Sequence, residues 1–481
     1  MTQSLSRRAF LSRVAAGGAA AAMVSPADSA EPILTPEMFG ARGDGVTNDS
    51  AAFRLLAEAV NKAGGGTVAL RRTTYIVGRQ RPALKPDALY YFAPDDLLFF
   101  ARCTRPVVVR GNGARLLCER GLRYGVFDSA GNPRKTAMPY LGPGVASPYL
   151  FMVQAERCSG GIEISDLELD GNLPGLSIGG QYGDTGWQIP ANGIGLVNNS
   201  GPEIVRNVYS HHHPLDGLSI DGLDSAAPRL PQRLVHGLRS EYNGRQGVSI
   251  VGGRGYAFEA CKFNHTGRST ISSAPGAGVD IEAEGGKKNR DFSFTDCEFV
   301  DNSGCGLVAD TGDSEGARFT RCTFIGTTMW SAWPYKPRFR FFSCRFVGAL
   351  VRAWGDDDPE RAAQFTDCTF RDDPALSPTG KVYLATPKGG PIADLSSSKN
   401  VLFRRCTFAL TGKGLLPWSW FAIYEDCRMS QRSLAEGYPK GKYRGTTILD
   451  GKVDLYGSTV EGVLIGNGKR IEKVQMGGNS W

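Results

Sequence analysis

A six-residue phrase, Phe-x-x-Cys-x-Phe, occurs six times in the second half of the chain. The copies are Phe258-Glu-Ala-Cys261-Lys-Phe263, Phe294-Thr-Asp-Cys297-Glu-Phe299, Phe319-Thr-Arg-Cys322-Thr-Phe324, Phe341-Phe-Ser-Cys344-Arg-Phe346, Phe365-Thr-Asp-Cys368-Thr-Phe370 and Phe403-Arg-Arg-Cys406-Thr-Phe408. Tyr424-Glu-Asp-Cys427-Arg-Met429 is a looser seventh. The Cys-to-Cys steps are 36, 25, 22, 24, 38 and 21 residues. The short steps define the unit, and the long ones carry inserted loops. In a strand, Cys and the Phe two residues later point to the same side. Each copy therefore reads as a short strand with Cys and Phe inward. The leading Phe has the wrong parity for that strand, which calls for a bend after it.

A unit of 21–25 residues is too short for a four-stranded propeller blade. No helical periodicity lies between copies, which excludes leucine-rich and βαβ units. The remaining solution is an all-β, single-stranded right-handed parallel β-helix, in which the coil encloses its own core. A second stack agrees: Gly193-Ile-Gly-Leu-Val197, Gly217-Leu-Ser-Ile-Asp221, Gly247-Val-Ser-Ile-Val251, Gly278-Val-Asp-Ile-Glu282 and Gly306-Leu-Val-Ala-Asp310. The second and fourth positions are apolar in every row and face in. The third and fifth face out. With 62 Gly in 481 residues, glycine is about twice its usual share of roughly 7%, and the repeat gives it a place. The eleven Cys then read mainly as small buried hydrophobes. There is no CxxC, so no zinc site is expected.

The N-terminus holds Ser6-Arg7-Arg8-Ala9-Phe10-Leu11 and a weakly apolar run, Ala15 to Val24. This is a twin-arginine export pattern, with cleavage expected after Ser29 or Ala30. It places the mature protein in the periplasm or outside the cell. No later segment is apolar and long enough for a membrane helix. The net charge of +7 is mild, and no basic-aromatic stripe or motif for nucleic acid is present.

Phe39-Gly-Ala-Arg-Gly-Asp-Gly-Val-Thr-Asn-Asp49 is followed by an amphipathic segment with Phe53, Leu56 and Val60 on one face, and by Gly64-Gly-Gly-Thr-Val-Ala-Leu70. Asp49 or Ser50 is placed to cap this helix and Gly64 to end it. With Leu167-Glu-Leu-Asp-Gly-Asn172, Arg245-Gln-Gly-Val-Ser-Ile250 and Gly278-Val-Asp-Ile-Glu282, this resembles the pectin-lyase-like β-helix superfamily. The similarity is to the pectate-lyase-type branch shared by rhamnogalacturonases, tail-spike depolymerases and epimerase-like proteins. The resemblance implies a helix over the open end of the coil and a polysaccharide or oligosaccharide substrate. The chain then divides into a signal peptide (1–30), an N-terminal cap with the first coils (31–100), the β-helix (101–430), and last coils with a C-terminal cap (431–481).

The outward column carries the chemistry. Asp280 and Glu282 share a strand face at about 6.5–7 Å between Cα atoms, and Asp221 lies two coils before, about 9–10 Å away. Carboxylates at such spacings serve as acid and base in glycoside hydrolysis. Asp221, Asp280 and Glu282 are therefore the expected catalytic trio of a glycoside hydrolase. Asp216, His213, Arg245, His265, Arg268 and Asp310 lie around this column as substrate-binding candidates. Tyr182 and Trp187 join them from a Gly/Pro-rich insertion that would wall the groove, together with Tyr124, Phe127 and Tyr140; Trp330, Trp333 and Tyr335 form another aromatic group. His211-His-His213 reads as a turn with one useful His, so no metal site is expected.

The alternative is a lyase that β-eliminates a uronate-containing glycan, with Arg245 or His265 as base. Lyases in this superfamily use a basic residue in that role, and Ca2+ would then be the cofactor. Epimerisation and non-catalytic glycan binding are the remaining readings. The polygalacturonase pattern is mostly missing: Pro214-Leu-Asp216-Gly replaces Asn-Thr-Asp, and Val235-His-Gly237 is a poor substitute for Gly-His-Gly.

Overall fold

The computed structural model describes residues 33–82, 90–134, 144–180, 189–224, 227, 229–472 and 474. The expected export signal, Tyr140, Tyr182 and Trp187 lie outside the described residues. The chain winds as a right-handed parallel β-helix. A typical coil holds three short strands. One coil runs Asp216–Asp221, Arg233–His236, Arg239–Glu241; the next runs Gln246–Arg254, Ala257–Glu259, Lys262–Asn264. Each strand pairs in parallel with its counterpart one coil on. Stacking coils thus builds three sheets, here called the first, second and third faces.

The Gly rows form the first face in the register read from sequence. Ile194, Leu218, Val248, Val279 and Leu307 are consecutive partners, and all are fully buried. Glycine recurs there because the corner is crowded: a Cβ on Gly217 would overlap Ser240 Oγ, which donates to Gly247 O at 2.7 Å.

The Phe-x-x-Cys-x-Phe phrase is two strands and a corner, where the sequence suggested one strand. Phe258 lies on the second face in Ala257–Glu259, and Phe263 on the third in Lys262–Asn264. Between them Ala260 takes φ 51°, and its counterparts Asp296, Arg321, Ser343, Asp367, Arg405 and Asp426 lie between 50° and 55°. This left-handed residue is the bend that the parity of the leading Phe requires. It turns the chain so that both Phe and the Cys face in. Leading rings stack on one another, with Phe341 at 4.7 Å from both Phe319 and Phe365. Trailing rings stack likewise, as in Phe324–Phe346 at 4.9 Å. The seven Cys of the repeat are all at most 2% exposed.

The N-terminal end of the stack is covered. The helix α1 (Ser50–Ala63) buries Phe53, Leu56 and Val60 completely. Its Asn61 side chain donates to Phe99 O at 2.8 Å and accepts from Ala101 N at 2.9 Å, satisfying backbone groups beside the coil. Gly64 ends the helix in the left-handed conformation. Asp49 does not cap it. Its carboxylate instead accepts from Arg42 N and Gly43 N, at 2.8 and 3.0 Å, and folds the preceding Gly-rich loop inward. At the other end Val463–Gly466 turns back antiparallel onto Lys469–Ile471. Insertions build a separate five-stranded sheet; its Tyr124 and Phe127 are buried and present no ring to a ligand. No helix among the described residues is long and apolar enough to cross a membrane.

Candidate functional site

The expected acidic column on the first face separates into three environments. Asp221 leaves the register first. A bulge after Ile220 pairs it with Gly252 and not Val251. There Lys287 Nζ forms an ion pair with its carboxylate and also donates to Asn198 Oδ1 at 2.8 Å. Asp221 is thereby neutralised by a lysine from a loop, which the strand pattern gave no means of foreseeing.

Asp280 keeps its register opposite Ser249 and Val308 but is only 4% exposed. Its carboxylate accepts from Gln246 Nε2. Gln246 Oε1 in turn accepts from Arg245 Nη1 at 3.0 Å, and Arg245 lies 3.8 Å from Asp216. Arg245 also donates to Ala274 O at 3.2 Å. Asp216, Arg245 and Asp280 therefore form one buried, internally bonded network beneath the surface loops. Arg245, proposed from sequence as a base or carboxylate binder, is committed to that network.

Glu282 and Asp310 remain together. They follow the ends of two adjacent paired strands, Ala277–Ile281 and Leu307–Ala309, and the charge of Glu282 acts on Asp310. Both are half-buried. Burial, followed by the charge of Glu282, raises the Asp310 carboxyl above the ordinary carboxylate range. Thr311 Oγ1 donates to Glu282. Lys336, close to both carboxylates, donates to Gly312 O at 2.8 Å, and burial lowers its pKa. By the same register Tyr335 follows Asp310 one coil on. Its ring meets Trp354 edge-on at 5.2 Å, while Trp330 meets Trp333 at 6.1 Å and Tyr383 at 5.7 Å. Half-exposed aromatic rings thus continue the face beyond the acid pair.

His213 is fully buried, with Nδ1 bonded to the Tyr149 hydroxyl at 2.9 Å. It packs inside the corner and cannot meet a glycan, which corrects its expected substrate-binding place. Its backbone N–H is taken by Asn243 Oδ1 at 3.0 Å. The neighbouring left-handed corner residues do reach the surface. His212, Tyr242 and His265 stack in successive coils, at 5.1 and 4.8 Å. His265 Nδ1 lies 3.0 Å from Asp301 Oδ2. Arg268 donates to Asp301 Oδ1 at 3.0 Å and to Thr327 and Thr328 hydroxyls at 2.9 and 2.8 Å. His265 and Arg268 therefore share one carboxylate on the corner between the third and first faces.

The third face also carries a group that the sequence reading passed over: Arg115, Glu168, Asp170, Tyr209 and His211. Its signal was available, since the spacing Glu-x-Asp in Leu167–Asp170 puts two carboxylates on one strand face. His211 comes beside Asp170 from the next coil, which the pattern within one strand does not reveal.

No protein-family model matches this chain. A curated relative, "Depolymerase 1, capsule KN3-specific" of Klebsiella phage KN3-1, is 24% identical over 349 residues, which is 71% of this chain and 37% of the relative. The chain thus spans little more than a third of that protein. Among solved structures, the A-module of the Azotobacter vinelandii mannuronan C-5 epimerase AlgE4 is 13% identical. It covers 90% of this chain and 95% of its own, with a TM-score of 0.48. The tailspike protein gp49 of Acinetobacter baumannii bacteriophage Fri1, a capsular polysaccharide depolymerase, is 13% identical over 82% of this chain and 59% of its own. Its TM-score is 0.40. Superpositions this loose carry neither residues nor activity to this chain.

Proposed function

We propose that this protein is a polysaccharide-cleaving enzyme of the glycoside hydrolase type, exported from the cytoplasm. Asp310 acts as general acid and Glu282 as its partner carboxylate. The observation that carries this reading is the environment of Asp310: burial and the charge of the adjacent Glu282 raise its pKa, which favours the protonated form that a general acid needs. Two carboxyl groups with separated pKa values are the requirement for acid and base assignments in glycoside cleavage. The rings of Tyr335, Trp354 and Trp333 beyond them offer faces on which sugar rings pack. The similarity to a capsule depolymerase supports a polysaccharide as the substrate class. In this reading Asp221 and Asp280, the other two members of the expected trio, are structural.

The test is turnover of neutral and acidic polysaccharides, scored by new reducing ends. Asp310→Asn and Glu282→Gln should each lower the rate by about 10²–10⁴-fold without shifting the melting temperature. Full activity in both variants would overturn the assignment. A second reading, β-elimination with His265 as base, is favoured by the His265–Asp301 contact. It predicts products with ultraviolet absorbance from an unsaturated sugar, and loss of that signal in His265→Gln.

A further inference from the structure

Asp170, His211 and His212 each offer one ligand atom, and these atoms lie within 4.8 Å of one another. Among the described residues this is the group with metal-ligating geometry. We propose that it is a binding site for a divalent transition cation of the Zn2+ or Co2+ class, on the third face and separate from the Glu282–Asp310 pair.

The donors are held from outside. Asp170 and His211 are direct partners on adjacent strands, and both are 5% exposed. His212 follows at the corner with φ 54°, which swings its ring back so that the two Nδ1 atoms face each other at 2.7 Å. His211 Nε2 lies 3.2 Å from Glu168 Oε1. In that contact Nε2 faces the Glu168 carboxylate, and Nδ1 is the ring nitrogen turned toward His212 and Asp170. A ligating imidazole that gives its other N–H to a carboxylate is the usual support of a bound metal. The His211 ring is stacked on Tyr209 at 4.0 Å, and His212 on Tyr242 at 5.1 Å. Both rings are thus fixed before any ion arrives.

The donor set also selects the ion. Arg115 takes one oxygen of Asp170 and lies 3.1 Å from Glu168. It removes most of the negative charge that a calcium site needs. Asp170 Oδ1 lies 3.8 Å from His211 Nδ1 and accepts from Asn172 N at 2.7 Å, so one further lone pair of this oxygen is left for the ion. Two imidazole nitrogens and one carboxylate oxygen suit Zn2+, Co2+ or Ni2+, whereas Ca2+ demands six to eight oxygens. The nitrogens would part slightly to meet one ion at about 2.0–2.1 Å. His212 is half-buried, so the remaining coordination positions open toward solvent and are free for water or an anionic oxygen.

Titration of the purified protein with Zn2+ by calorimetry, and with Co2+ by visible absorbance, tests the site without using turnover. One ion per chain is expected, with no competition from millimolar Ca2+. His212→Asn, which tolerates the left-handed corner, should abolish or strongly weaken binding. Glu168→Gln should weaken it by about 10–100-fold. Melting without metal shows that each variant is folded. Glu282→Gln should bind Zn2+ like the wild type, so failure of the hydrolase reading leaves this result untouched. No Zn2+ binding at submillimolar concentration, or equal binding by a folded His212→Asn, overturns the proposal.

Discussion

Asp280 and Asp310 sit on the same outer face in neighbouring coils, and their surroundings assign them different work. Asp280 is enclosed and accepts a hydrogen bond from Gln246, which is tied to Arg245. An amide at 280 keeps an acceptor for Gln246, so Asp280→Asn should turn over substrate close to the wild-type rate. Its cost is about 1 kcal/mol of stability from the weakened charge-assisted bond, read by denaturant unfolding. Asp310 is half-buried beside Glu282 and must carry a proton to serve as acid. Because its pKa is raised, activity should fall as pH rises through that value. The alkaline limb of the pH–rate profile should therefore disappear from the residual rate of Asp310→Asn. A profile unchanged by the substitution would remove Asp310 from the mechanism.

Corners are the elements that give each coil its shape, and one of them is set by a titratable group. Asp301 lies at a left-handed position, φ 55°, and receives His265, Arg268 and the Thr327 hydroxyl, the last at 2.6 Å. Burial alone would raise its pKa, but the bonds from His265 and Thr327 and the charge of Arg268 outweigh that, and the net shift is downward. A carboxylate with a lowered folded pKa stabilises the fold above its unfolded pKa of about 3.9 and loses that contribution as pH falls through the folded value. Wild type should therefore exceed Asp301→Asn in stability at pH 7. The gap should close below about pH 4; a gap independent of pH would show that the charge contributes nothing.

The same corners show where sequence reading stops. Rows such as Val248, Val279 and Leu307 were legible because burial imposes a strict alternation on any strand that faces a core. The bend inside Phe-x-x-Cys-x-Phe was legible as a parity conflict. The bulge at Asp221 was not, since an extra residue in one strand leaves no trace in composition. Nor were Lys287 and Lys336, which reach the acidic groups from loops of irregular length. Asp221 and Asp280 were therefore legible as members of one outer face, while their partners Lys287 and Gln246 were not.

At the scale of the whole molecule, the cysteines report whether the coil is intact. All eleven are free and buried. Seven form the ladder between the two Phe stacks, where each Sγ lies near backbone carbonyl oxygens; Cys344, for example, is 3.5 Å from Phe319 O and from Phe342 O. Burial pushes the thiols of Cys297, Cys344 and Cys406 up. Cys305 is outside the main core, packed with Ala277 and Val308 under Trp330 and Trp333, and burial raises it to about 12. A thiol reacts as its thiolate and only where reagent can reach it. A thiol-specific reagent should therefore label no cysteine in the native protein and all eleven after unfolding in denaturant. Because neighbouring rungs share stacked rings, the labelling should appear over the same narrow denaturant range as loss of the far-ultraviolet β signal. Labelling of ladder cysteines well before that range would mean that coils open separately. Fewer than eleven thiols after unfolding would mean that rungs had been joined as disulfides.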